Sequence, residues 1–237
     1  MSQPHTHPST RQPGSVMTAG AVAGVGALTL PVAAAWHLLA TTGITVAPPP
    51  QRPTGATIDE GMQIYFRWLA TTVPQEQWYI TLAMIGFGFL GAVAVASSRG
   101  GRRLTHAGGL TVAIGCALWI VSSLGRLGGH QAVGLMATHA NPIDTVNAIA
   151  FTVDTTADDF ALAAFVCVGV GLLALTGAPP GGRKMWPLVT WFTAAAALGT
   201  AWTYAAGSDG ITDALLTVNG LLLSLWCLGT LNRMSRR

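Results

Sequence analysis

Six long apolar blocks alternate with shorter polar segments along the chain, over about residues 17–40, 78–97, 104–124, 156–176, 187–206 and 212–230. Each is close to the ~20 residues a helix needs to cross a hydrocarbon core of ~30 Å. The pattern predicts an all-α polytopic membrane protein, a six-transmembrane helical bundle forming one domain over residues 16–231. Residues 1–15 are polar and read as a flexible tail, and residues 232–237 as a short basic one. Ala33 and Ala35 make an A-x-A pattern of the kind that ends a signal peptide. The apolar run before them is longer than an h-region of ~7–15 residues, so it is read as the first span. Pro31 is expected to kink that span.

Two of the intervening segments carry helical signals of their own. Thr57-x-x-Glu60 is a capping box, followed by Ile58, Met62, Tyr65, Phe66 and Leu69 at helical spacing, with Pro74 as the expected end. After the third block comes a Gly-rich stretch holding Arg126, His130 and His139. Asn141-Pro142 then signals a helix start, and Ile143, Val146, Ala150 and Val153 form an apolar stripe. One helix from Pro142 to Thr176 would be about 50 Å long at ~1.5 Å per residue, so a break is expected near Asp154–Thr156. These segments predict two short amphipathic surface helices on the outer side. The third outer connection, Ser208-Asp209-Gly210, reads as a tight turn.

Composition supports the membrane class. Charged residues are 9% of the chain, against roughly 25% in soluble domains. The net charge of +3 does not point to nucleic acid, because the cations sit in short loops. Nine of the twelve, Arg11, Arg99, Arg102, Arg103, Arg183, Lys184, Arg233, Arg236 and Arg237, fall on one side of the proposed spans. Arg52, Arg67 and Arg126 fall on the other. The positive-inside rule then places both termini on the cytoplasmic side. All nine acids fall on the outer side. Trp36, Trp78, Trp186 and Trp202 lie near the expected interfaces. Cys116, Cys167 and Cys227 are lone cysteines in apolar blocks and read as packing residues.

Candidate chemistry is sparse. No Asp, Glu, Lys or Arg lies near the middle of a span, which argues against a proton-coupled transporter or ion pump. An outer polar set remains: His37, Arg126, His130, His139, Asp144, Asp154, Asp158, Asp159 and Asn219. Asp154 and Asp158 are four apart and share a helix face. A cation site would draw on such oxygens, with histidine added for a transition metal, but no HExxH spacing occurs. The plainer reading has these residues cap helices, pair with Arg126 and face water. A membrane haem needs two histidines at one depth. His37 stands alone, with His106 at the opposite end and His5 and His7 in the tail, so no cofactor is expected. Ser122, Ser123 and Ser224 lack a neighbouring base, and no GxSxG occurs. Gly20-x-x-x-Gly24 and Gly86, Gly88, Gly91, Gly169 and Gly171 permit close helix contact and are read as bundle packing.

Leu172-Leu173-Ala174-Leu175, the loop from Pro179 to Pro187 and Leu225-Trp226 lie within the last 80 or so residues. In these the chain resembles an uncharacterised family of bacterial six-helix integral membrane proteins, a domain of unknown function. The resemblance implies the six-helix bundle and brings no functional residues. The leading expectation is a non-catalytic accessory or partner-binding subunit, touching membrane lipids and other membrane protein subunits. The alternatives are a small transporter or lipid-handling protein with an outward-facing polar pocket near His37 and Asn219, and a membrane enzyme or metal or haem protein using the outer His/Asp set.

Overall fold

A computed structural model of the chain describes residues 14–44, 50–99, 101–139, 141–176 and 185–235. Most of the expected N-terminal tail, the loop at 177–184 with its Arg183-Lys184, and Arg236-Arg237 lie outside the described residues. Regular structure within them is helical: α1 (Gly14–Thr41), α2 (Ile58–Ser98), α3 (Arg103–Thr138), α4 (Ile143–Thr176), α5 (Met185–Ala206) and α6 (Asp209–Met234).

Each helix packs on the next, and α1 packs on α6, so the six close into a ring. α2 also reaches across to α4 and α6. The links after α2, α3 and α5 are short, which makes the helices on either side antiparallel neighbours. One end of the ring therefore carries Arg99, Arg102, Arg103 and Arg233. The other end carries the carboxylates, Asp59 and Glu60 on α2, Asp144 to Asp159 on α4 and Asp213 on α6.

The segments expected as separate surface helices are not separate. α2 has 41 residues, α3 36 and α4 34. These lengths correspond to roughly 50–60 Å at 1.5 Å per residue. α2 continues through Pro74, α3 continues through its Gly-rich stretch, and no break occurs at Asp154–Thr156. The reason is tertiary. Beyond the ring, at the acidic end, the three helices pack on one another around Phe66 and Leu69 of α2, Val133 and Ala137 of α3, and Val146 and Ala150 of α4. A proline inside a helix costs about 3 kcal/mol. Each large apolar side chain buried there returns about 1.5–3 kcal/mol, and Phe66, Leu69 and Val73 are all buried just before Pro74. The Thr71 and Thr72 hydroxyls donate to the Trp68 carbonyl at 2.8 and 3.1 Å, occupying side-chain polarity within the helix. α1 likewise continues past Pro31.

The start signals at Thr57 and Pro142 hold, whereas Thr156-x-x-Asp159, a pattern that would open a fourth span, lies inside α4. Thr57 N–H donates to Glu60 Oε2 at 2.8 Å, and Glu60 N–H donates to Thr57 Oγ1 at 3.2 Å, the reciprocal pair of a capping box. α4 begins one residue after Pro142. The last turn falls one residue earlier than expected: Gly207 takes the left-handed conformation (φ 63°), Ser208 stands at the N-cap position of α6 without a side-chain capping bond, and Asp209 is already helical.

The ring interior is apolar, built on Phe87, Leu90, Val112, Phe165, Leu172 and Leu223. Glycines set how closely the helices approach. A Cβ added at Gly115 would lie 2.6 Å from the Ala164 carbonyl oxygen, and one at Gly171 2.7 Å from the Gly108 carbonyl oxygen. α3 and α4 therefore touch backbone to backbone. Gly24 and Gly88 meet nothing within 4 Å and take no part in such contacts.

The outer face is apolar too. Val32, Ile114, Val170, Phe192, Trp202 and Leu225 are exposed, with Phe192 at 66% and Trp202 at 73%. A water-soluble monomer does not carry an apolar surface of this extent. Gln77–Ser98, Arg103–Thr138, Ile143–Thr176 and Gly210–Met234 are each long and apolar enough to cross a bilayer. The apolar helices mark the chain as a membrane protein.

Candidate functional site

Where the ring meets the three-helix extension, the packing leaves a cavity of about 350 Å³ lined by side chains of all six helices. Its apolar part is formed by Leu30, Phe87, Trp119 and Phe165. The Phe87 and Trp119 rings stack with centroids 4.2 Å apart, and Phe165 meets the Phe87 ring edge-on at 6.3 Å. Its polar part is formed by His37 of α1, Tyr79 of α2, Ser122, Ser123, Arg126 and His130 of α3, Tyr204 of α5 and Asn219 of α6.

Three of the basic side chains on this wall have a carboxylate partner on another helix. Arg126 donates through a terminal amino group to Asp158 Oδ1, and Tyr204 lines the same wall. His130 Nε2 donates to Asp154 Oδ1 at 2.7 Å. His37 Nε2 stands 3.4 Å from Asp213 Oδ1, within ion-pair reach but without a hydrogen bond. The carboxylates are close to half exposed, the imidazoles about a fifth.

Two polar groups on the wall are left incomplete. The Arg126 Nε is buried without a hydrogen-bond partner. Asn219, 1% exposed, gives its amide N–H groups to Thr200 Oγ1 and to the Ala196 carbonyl (3.1 Å), while its Oδ1 is buried and unpartnered.

The nine residues of the outer polar set thus divide. His37, Arg126, His130 and Asn219 meet at the cavity, with Asp154 and Asp158 behind them. His139, Asp144 and Asp159 do not join them. His139 caps the end of α3, its Nδ1 2.7 Å from the Leu135 carbonyl oxygen, and it is exposed. Asp144 is exposed in the first turn of α4, where a carboxylate suits the helix dipole. Asp159 is exposed on the same helix. Among the described residues, no three His, Cys, Asp or Glu side chains stand close enough together to hold a metal ion. Ser122 donates to the Ala157 carbonyl at 2.6 Å, so its proton ties α3 to α4.

Tyr79, Tyr204 and Asp213 were not singled out by sequence. The two tyrosines lie where aromatic residues ordinarily mark a membrane interface. Asp213 lies near the start of α6, whose neighbour α1 is far away in sequence. Comparison with known protein families, with curated proteins and with solved structures finds no match for this chain.

Proposed function

We propose that the protein is a six-span protein of the bacterial inner membrane, with both termini inside, that binds a small amphipathic molecule in the cavity. It belongs on this reading with lipid-handling proteins and small transporters. α1 and α5 join the four longer spans because they complete the same ring and expose Leu28, Val32, Leu188 and Phe192 to the same surroundings. The distribution of nine cations against three supports the orientation. The cavity then opens in the outer half of the bilayer, and the three-helix extension stands outside.

One observation carries the functional reading: a chamber with an aromatic and aliphatic floor and a hydrogen-bonding rim, shared by every helix of the ring. Sites for small molecules are concave, mostly apolar, and fixed by a few polar groups. A lipid-facing bundle with no ligand to hold gains more by closing such a gap, since voids forfeit dispersion contacts.

The test is native mass spectrometry of protein released gently from its own membranes. A bound small molecule is expected on the wild-type chain and absent from Ala83→Trp, which fills the cavity. A wild-type chain that carries no adduct and takes up none from added lipid extract removes the proposal.

A second reading has its own support. Phe151, 72% exposed, and Leu135, also exposed, stand on the extension, where a partner subunit would cover them. A stoichiometric companion protein in the same spectra is the expected sign of it.

A further inference from the structure

The polar wall of the cavity carries a guanidinium and no carboxylate, and this gives the ligand a sign. Arg126, His130, His37, Tyr79 and Tyr204 all line it. Asp158, Asp154 and Asp213, the carboxylates facing the three basic groups, do not. The acids stand behind the bases, toward the surface, and hold them in place. A ligand in the cavity meets the donors first.

Arg126 has capacity to spare. A guanidinium carries five N–H groups in a planar fork. Asp158 engages a terminal amino group, and Nε is buried with no partner at all. A buried N–H without an acceptor is costly. An oxyanion with two or more oxygens is the group whose geometry matches that fork. A cationic head finds no carboxylate on this wall. Asn219 Oδ1 is an unpartnered acceptor, but a neutral one.

Size limits the remainder. The volume is about 350 Å³. A space of this size, at the small end of the range for ligand sites, suits one acyl chain better than two. The floor of Leu30, Phe87, Trp119 and Phe165 offers nothing but apolar contact, which suits an alkyl chain.

Resting on the proposed binding of an amphipathic molecule, we propose that the ligand is a single-chain acidic amphiphile of medium length. Its carboxylate or phosphate sits on Arg126 beside His130, and its chain lies against Phe87, Trp119 and Phe165. A carboxylate head would come from a free fatty acid, and a phosphate head from a phosphorylated lipid fragment.

The experiment uses the full chain in lipid nanodiscs, with empty discs as the baseline. Saturable binding is measured for four tritiated probes of equal chain length: decanoate, decyl phosphate, decanol and decyltrimethylammonium. Decanoate or decyl phosphate is expected to bind at one site per chain, at least tenfold tighter than the other two, as the loss of charge-assisted hydrogen bonds implies. Whichever acid binds tighter identifies the head. Arg126→Gln alone strands Asp158, so the informative variant is Arg126→Gln with Asp158→Asn, which keeps an uncharged hydrogen-bonding pair. It is expected to weaken the acids about tenfold and leave decanol unchanged. Decanol or the ammonium binding as tightly as the acids overturns the inference and leaves the broader reading standing. So does acid binding that the double variant does not alter. Failure of all four probes to bind saturably removes both.

Discussion

His130 and Asp154 join α3 to α4 at the cavity wall, Nε2 to Oδ1 at 2.7 Å, four residues along each helix from the pair Arg126 and Asp158. The two pairs are consecutive rungs between antiparallel helices. One turn toward the N-terminus of α3 lies a third, Ser122 to the Ala157 carbonyl. The contact is cross-helix, so its value is measurable as a coupling.

His130→Ala and Asp154→Ala are each expected to destabilise the protein, and the double variant to lose less than their sum. Asp154 is half exposed, and solvent screening limits such pairs to about 1 kcal/mol or less. A double-mutant cycle on thermal unfolding in detergent checks this. Strict additivity means the pair contributes nothing.

Gly115→Leu is expected to separate α3 from α4. The new side chain meets the Ala164 carbonyl and the Val168 backbone, neither of which can swing aside. Overpacking costs about 1–3 kcal/mol where neighbours can adjust, and the loss here should reach or exceed the top of that range. Yield and monodispersity on size exclusion report it. Gly88→Leu, which meets open space, is the matched control and should fold.

Thr57→Ala removes half of the capping box and should cost about 1 kcal/mol. Hydrogen exchange localises the effect. Faster exchange is expected over the first turns of α2 and unchanged exchange over Phe87 to Ser98. Uniform acceleration along the helix would count against independent fraying of its start.

The proposed orientation predicts which cysteines an impermeant thiol reagent reaches in intact cells. A cysteine at Thr138, exposed at the tip of the extension, should be labelled, and one at Arg99 should not. Cys116 and Cys227 are buried but Cys167 is only partly so, and the labelling is therefore done in a Cys167→Ser background. Labelling at Arg99 with protection at Thr138 inverts the topology.

Much of the helical layout was legible in the sequence, because helix starts are written locally. Thr57, Glu60 and Pro142 announce themselves within four residues. Continuity is not local. Pro74, the glycines between Gly125 and Gly129, and Asp154-Thr155-Thr156 are each breakers by propensity, and each lies within a helix whose sides are buried by two others. Depth along the spans defines the outer polar set, which is why it includes His37, Arg126, His130 and Asn219, four residues that line one cavity. Depth says nothing of which way a residue faces. His139, Asp144 and Asp159 share the level but not the cavity, while Tyr79 and Tyr204 look like ordinary interface aromatics until α2 and α5 are seen to turn them inward.

The unbroken course of α4 has a mechanical consequence. A jointed helix would absorb a push at its tip in the joint. α4 has neither proline nor glycine between Val146 and Phe165, so a tilt applied near Val146 is conveyed along a stiff rod to Phe165, some thirty ångströms away by ~1.5 Å per residue. The tip and the chamber floor move as the two arms of a lever, and load on one is felt at the other.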